Sequence, residues 1–141
     1  MRGREGADFS FSGLKTAVRQ VTLQGPVNTA DLAASFQAAV IDILLERSAA
    51  AMAMFRRDFP QADAASFVVA GGVAANGAIR NALEGLAGRQ GFGFAVPPIP
   101  LCTDNAAMIA WAGIERAAIN LFDPLDAPAR ARWPLYANET P

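Results

Sequence analysis

Apolar and polar residues alternate with the period of a strand in some segments of the chain and with that of a helix in others. Residues 66–70 form the apolar run Ser-Phe-Val-Val-Ala, and Gly71 and Gly72 follow it directly. Because β-branched and aromatic side chains suit a pleated sheet, and buried parallel strands read as continuous apolar runs, this segment is predicted to be a buried strand. The two glycines predict a tight turn, and a helix is predicted after it, ending at residue 88 or 91.

The first third of the chain is predicted to be mainly helical. Residues 14–21 place apolar side chains on one face of a helix, and a longer amphipathic helix, capped by Asn28 or Thr29, is predicted to end near residue 58 because Pro60 disfavours helix before it. Ahead of both helices, phenylalanine and serine alternate over residues 9–12, which predicts a short strand with one buried face.

The remaining elements complete a repeating pattern. Residues 92–96 predict a second strand, and three prolines then impose an extended path. A last helix follows, for which Thr103 or Asp104 is placed to act as the cap. Strand, helix, strand and helix in this order predict a βαβ crossover and a parallel sheet in an α/β fold.

Composition narrows the class of protein. With 141 residues, of which 52% are hydrophobic and 18% charged, the chain can form one domain with a core. A net charge of -1 gives no overall attraction to nucleic acid, and the single cysteine, Cys102, cannot form an internal disulfide, which fits a reducing compartment and a cytoplasmic location. No apolar run approaches the roughly 20 residues of a membrane-spanning helix.

The chain contains no histidine. Ser-His-Asp and Cys-His catalysis and the helical zinc motif of metalloproteases are therefore excluded within it. The strongest candidate for chemistry is the glycine turn, where a helix N-terminus could receive a phosphate or nucleoside. Asn76, predicted to lie about one turn into that helix, could both donate to and accept from a ribose or a base. An ordinary strand-to-helix connection explains the same residues.

Three segments together carry a specific resemblance. They are FSFSGLKTAV at residues 9–18, VVAGGVAANGAIR at residues 68–80 and PLCTDNAAMIAWAG at residues 100–113. In this order they resemble the TsaD/Gcp family, the tRNA N6-adenosine threonylcarbamoyltransferases, formerly labelled O-sialoglycoprotein endopeptidases or glycoproteases. The resemblance implies the actin-like ATPase (ASKHA, ribonuclease H-like) fold. This chain would be a helix-rich part of its C-terminal lobe with a short parallel sheet, and residues 122–141 would be a tail that wraps the surface.

The resemblance also assigns site residues. Asn76 would bind the nucleotide or the threonylcarbamoyl-AMP substrate, with Gly71 and Gly72 as the turn that lets it approach. Asp104 would be the carboxylate ligand of one iron or zinc ion, whose other protein ligands are histidines of the family's N-terminal part. A single carboxylate binds such a metal weakly, so Asp104 alone is not a metal site. Ser10, Ser12 and Lys15, although typical of the family, receive no role in catalysis.

The resemblance implies an acyltransferase that moves the threonylcarbamoyl group to the N6 amine of a tRNA adenosine beside the anticodon. Its partners would be tRNA, the N-terminal part and pathway proteins that include an inactive paralogue. As a separately expressed piece or a truncated gene product, this chain is expected to be inactive alone and to self-associate through an uncovered apolar face. The alternatives are a non-catalytic actin-like scaffold of the same pathway and a metalloendopeptidase, which rests only on the old label.

Overall fold

The computed structural model describes residues 6–128, and from residue 12 onward its α-helices and strands follow the predicted order. The α-helices are α1 (Ser12–Leu23), α2 (Thr29–Asp58), α3 (Gly77–Arg89) and α4 (Ala106–Ala118), and the strands are β1 (Ser66–Val68) and β2 (Gly93–Ala95). Short 3₁₀ helices span Gly72–Ala75 and Ile99–Leu101. The chain divides into two compact units, one ending at Thr103 and the other beginning at Asp104.

The two strands form a parallel pair with α3 as the connection between them. Phe67 pairs with Phe94 in the centre of the ladder, and the backbone N–H of Val69 donates to the carbonyl of Ala95 at 3.0 Å beyond its end. The predicted βαβ crossover is confirmed, although each strand is only three residues long and therefore shorter than predicted. Since both strands run the same way, the residues that follow them leave the same edge of the sheet.

The hydrophobic core lies between one face of this sheet and helices α2 and α3. Met52, Leu86 and Ala87 are its buried centre, and five partly buried residues pack against them: Leu45, Ala49, Phe67, Phe92 and Phe94. The alanine- and methionine-rich part of α2 thus packs as predicted. The other face of β1 is open, because Ser66 and Val68 are exposed, so the prediction of a fully buried strand is wrong for that face.

The C-terminal end of α2 is fixed against the turn that leads into β2. The Arg56 guanidinium donates to the carbonyl of Gly91 at 3.0 Å and to that of Ala62 at 3.2 Å, and it lies 4.7 Å from the centre of the Phe92 ring. Gly91 has a φ of 69°, which favours glycine. These contacts hold the end of α2 beside the turn that joins α3 to β2.

The predicted strand at residues 9–12 is wrong. Residues 9–11 have no regular structure, and α1 already begins at Ser12. The Phe9 and Phe11 rings stack on each other with centroids 6.5 Å apart, and both remain exposed. Alternating phenylalanine and serine residues do not form a strand by themselves, and the described residues contain no neighbouring strand with which they could pair.

Asparagine side chains begin three of the four α-helices. Asn28 caps α2 as predicted, its Oδ1 accepting from the backbone N–H of Ala30 at 2.9 Å. Asn105 caps α4, accepting from the N–H of Met108 at 3.1 Å, so the prediction of Thr103 or Asp104 as cap is wrong. The cap oxygen must reach the second or third helical N–H, and helix α4 starts one residue later than a cap at Asp104 predicts and two later than a cap at Thr103 predicts.

Residues 129–141, with most of the predicted tail and its aromatic residues Trp133 and Tyr136, lie outside the described part of the chain. The tail therefore stays a prediction. Within the described part, no helix combines the length and the apolar character needed to cross a membrane.

Candidate nucleotide site

Gly71 forms the turn that follows β1. Its φ of 83° and ψ of 177° lie in a region that only glycine occupies freely, and its carbonyl accepts from the N–H of Ala74 at 3.0 Å to start the first 3₁₀ helix. A Cβ added at Gly71 or Gly72 would meet no other atom of the described residues within 4 Å. The turn is thus accessible to a molecule from outside, as a close-approach turn requires.

Asn76 lies at the start of α3, not one turn into it as predicted, because the Gly72–Ala75 helix separates it from the glycines. Its Oδ1 accepts from the backbone N–H of Ile79 at 3.1 Å and so caps α3. Its Nδ2 donates to Oε1 of Gln37 on α2 at 3.0 Å. A primary amide has two donor hydrogens and two acceptor lone pairs, so one of each remains for a ligand.

The partner of Asn76 was not found from the sequence. Gln37 is the only long polar side chain between Asp31 and Asp42, in a stretch of α2 that is otherwise apolar or small. That isolation was an available signal, but it does not identify a partner 39 positions further along the chain. Gln37 orients the Asn76 amide and occupies one of its donors.

Arg80 is a second long polar side chain beside the turn, and its sequence position alone did not indicate a role. The Arg80 Nε donates to the carbonyl of Ala74 at 3.0 Å. A terminal nitrogen of the same guanidinium lies 3.5 Å from the carbonyl oxygen of Pro97 and 3.7 Å from Sγ of Cys102. Arg80 was visible only as the last letter of a motif.

Asp104 is exposed at the beginning of the second unit, two residues before α4. The described residues contain no group of three His, Cys, Asp or Glu side chains able to hold a metal ion. Transition-metal sites in proteins generally use about three protein ligands. The described residues therefore do not fit a complete iron or zinc site, and Asp104 offers a single carboxylate.

The first family motif lies at α1. Ser10 Oγ and Ser12 Oγ are 3.1 Å apart, just before and at the start of the helix. Lys15 is one of the residues that line a groove of about 570 Å³ between α1 and α2, and this lining is mainly apolar: Lys15, Val18, Thr29, Leu32, Ala33 and Phe36. These contacts do not indicate a catalytic or binding role for Ser10, Ser12 or Lys15.

The two glycines should respond differently to alanine. Gly71→Ala is expected to lower the free energy of unfolding by about 1–3 kcal/mol, because the backbone conformation at Gly71 is strained for any residue with a Cβ. Gly72 has no positive φ and open space beside it, so Gly72→Ala should change stability by less than about 0.5 kcal/mol. Urea unfolding followed by circular dichroism measures both. Equal losses would contradict the turn geometry.

These elements define a helix-rich α/β protein in which a glycine turn leads into a capped helix. The family model described as TsaD, tRNA N6-adenosine threonylcarbamoyltransferase, matches residues 1–111. The chain belongs to this family, which confirms the resemblance found in its motifs.

Curated relatives give the same result. Proteins of Brucella anthropi, Brucella ovis and Brucella canis, each named tRNA N6-adenosine threonylcarbamoyltransferase, are 52% identical to it over 145 residues. The match covers 100% of this chain and 40% of each relative. The chain thus spans well under half the length of these relatives.

Proposed function

We propose that this chain is the C-terminal part of a tRNA threonylcarbamoyladenosine transferase with the actin-like ATPase fold. The observation that carries the proposal is the glycine turn at Gly71 leading to Asn76 at the N-terminus of α3, in a chain that belongs to the TsaD family. The complete enzyme would transfer the threonylcarbamoyl group from threonylcarbamoyl-AMP to the N6 amine of a tRNA adenosine next to the anticodon.

The residues of this chain would bind the adenylate half of that substrate. The N–H of Ile79 is taken by the Asn76 side chain, which leaves the N–H groups of Gly77 and Ala78 at the positive end of the helix, where they suit the AMP phosphate. The open space beside Gly71 and Gly72 would let the phosphate approach the backbone. The remaining donor and lone pair of Asn76 would bind the ribose or the base.

In the transfer itself, the N6 amine attacks the carbamoyl carbon and forms a C–N bond. The bond from that carbon to the phosphate oxygen breaks, AMP leaves with the electron pair, and the amine loses a proton to solvent. N–H groups that hold the phosphate would stabilise the charge that AMP gains as it leaves. Asp104 would contribute one ligand to the iron or zinc ion expected in the complete enzyme, and no step is assigned to that ion.

Most of the contacts with tRNA would come from other protein chains or from the N-terminal part of the enzyme. With a net charge of -1, this chain has no overall attraction for tRNA, so the N-terminal part and the pathway proteins, including the inactive paralogue, would supply most of the tRNA contacts. A cytoplasmic location accompanies this proposal because tRNA is the substrate. The chain alone would be inactive and would self-associate.

A second candidate function is a non-catalytic scaffold of the same pathway. It is favoured by the bonds of Asn76, since capping α3 and holding Gln37 would by themselves account for an asparagine at this position. A scaffold would not bind AMP at the glycine turn, and the transferase part would.

Asn76→Ala should abolish AMP binding, measured by calorimetric titration of AMP into the chain. Asn76→Asp keeps an oxygen to cap α3, but it loses the Nδ2 donor and places a negative charge beside the phosphate, so it should weaken binding at least about tenfold, which corresponds to 1.4 kcal/mol. Asn28→Ala is the matched control, because it removes the same kind of cap from α2. Both alanine variants should lose about 1 kcal/mol of stability, and only the Asn76 variants should lose AMP.

Transfer of labelled threonylcarbamoyl to tRNA tests the activity directly. The chain alone should give no product, and the chain mixed with the N-terminal part of a relative should give product that Asn76→Ala reduces. Transfer by the chain alone would refute the claim that the part is inactive. AMP binding with no transfer by the mixture would contradict the proposal that this site serves threonylcarbamoyl transfer.

A further inference from the structure

The Arg80 side chain joins two segments that are far apart in the sequence. Its Nε bonds the carbonyl of Ala74, in the 3₁₀ helix that follows the glycine turn, at 3.0 Å. Its terminal nitrogen reaches the carbonyl of Pro97 at 3.5 Å and Sγ of Cys102 at 3.7 Å. Its own backbone N–H donates to the carbonyl of Asn76 at 2.9 Å, so Arg80 and Asn76 share the first turn of α3.

The segment on the far side of Arg80 is folded back on itself. Sγ of Cys102 lies 3.5 Å from the carbonyl of Pro97 and 3.6 Å from that of Pro98, and Cys102 is almost fully buried. Ala74, on the near side, is fully buried as well. We call residues 97–102 the proline loop. A planar guanidinium carries donors on three separate nitrogens and can bond both segments at once, whereas all the donors of a lysine lie on one nitrogen.

We propose that Arg80 is a positioning residue that couples the glycine turn to the proline loop. A ligand bound at the turn holds the Gly72–Ala75 helix, the Ala74 carbonyl then holds the guanidinium, and the guanidinium holds the loop. The loop ends two residues before Asp104. The part of this inference that concerns the ligand rests on the proposed function, whereas the link between Arg80 and the loop does not.

Coupling of this kind is reciprocal. If AMP at the turn favours the closed loop, then a closed loop must favour AMP by the same factor. Removing the guanidinium should therefore have two effects: the loop opens more often, and AMP loses its influence on the loop. A purely structural arginine would produce only the first effect.

Cys102 reports on the loop because it is the single cysteine of the chain and is buried. Alkylation by iodoacetamide, followed by mass spectrometry, measures how often the loop opens. Arg80→Ala should increase the alkylation rate about tenfold, because the loop then loses the guanidinium contacts to the Pro97 carbonyl and to Sγ of Cys102. Arg80→Lys should give an intermediate rate. The control is Arg89→Ala, which removes an exposed arginine at the end of the same helix and should leave the rate unchanged.

The dependence on urea separates local opening from unfolding. Local opening exposes little surface, so the difference between Arg80→Ala and the unaltered chain should persist as the urea concentration approaches zero. If Arg80→Ala does not fold by circular dichroism, Arg80→Lys against the unaltered chain supplies the same comparison. An alkylation rate of the folded arginine variants equal to that of the unaltered chain would overturn the proposed link.

Added AMP tests the coupling. It should slow alkylation of the unaltered chain at least threefold and should leave Arg80→Ala unaffected, provided that both still bind AMP at saturating concentration. Equal slowing in both proteins would overturn the coupling through Arg80. Absence of AMP binding would count against the proposed function, while alkylation rates without AMP would still support or overturn the role of Arg80 in holding the loop.

Discussion

Leu86→Ala is expected to lower the free energy of unfolding by about 2–4 kcal/mol, the range found when a buried leucine is truncated in a core that relaxes only partly. Leu86 is 6% exposed and belongs to the buried centre formed with Met52 and Ala87. The phenylalanines of both strands pack on this centre, so a cavity there affects the helices and the sheet together. Because alanine has a higher helix propensity than leucine, the substitution should slightly stabilise α3 itself. The expected loss of stability must therefore come from lost packing in the core.

Leu23→Ala is the matched control, since it makes the same change in a helix at a side chain that is 71% exposed. It should alter stability by less than about 0.5 kcal/mol. Urea unfolding of the three proteins at one protein concentration gives the comparison, because self-association makes apparent stability depend on concentration. Similar midpoints for both variants would mean that the contacts between α2, α3 and the sheet are not the stabilising core.

The parts of the fold that the sequence predicted well are those set by local physics. Asn28 starts α2 by capping it, and Pro60 ends α2 because its ring excludes the helical conformation at the preceding residue. Both effects act only on neighbouring residues. The βαβ crossover followed from two apolar runs separated by a glycine turn and a helix. Strand length was overestimated, because a strand extends only as far as its neighbour pairs with it, and that neighbour was 27 positions away.

The wrong predictions concern features that depend on contacts between distant parts of the chain. Phe9 and Phe11 alternate with serine as strand residues do, yet no described strand lies beside them, and they precede a helix instead. Asn76 was expected inside α3 because the intervening 3₁₀ helix has no distinctive residue pattern. Gln37 and Arg80 were missed because their bonds depend on how α2, α3 and the proline loop pack together.

The candidate site itself was predictable as a motif but not as geometry. Gly71 was correctly expected at a turn that suits glycine, and the structure adds that its φ requires it while that of Gly72 does not. The amide of Asn76 was expected to be available to a ligand, and half of its capacity is in fact used within the fold. For Asp104, the resemblance implied histidine ligands that this chain lacks, and a single carboxylate was therefore not expected to form a metal site alone.

Self-association is the second large effect expected, and it arises from α4. This helix carries apolar side chains around its circumference, with Glu115 and Arg116 as its only charged residues, and the described residues of the chain bury none of them. Ile109 is 77% exposed and Trp111 66% exposed. A helix that is apolar all round is normally buried, and with 13 residues α4 is too short to span a membrane. We therefore expect it to be covered by other protein, which for the purified chain means further copies.

Light scattering at micromolar concentration should give a mass of at least twice the 14.8 kDa of one chain. The double variant Ile109→Glu, Trp111→Glu should return it to one chain, because charge on this surface would have to be buried in the assembly without a partner. Leu23→Glu places the same charge at an exposed position on α1 and should leave the larger mass unchanged. A monodisperse single chain would show that α4 needs no second copy. If α4 normally packs against the N-terminal part of the enzyme, adding the N-terminal part of a relative should dissociate the assembly and form a one-to-one complex. An unchanged assembly would mean that copies of this chain are the preferred partner of α4.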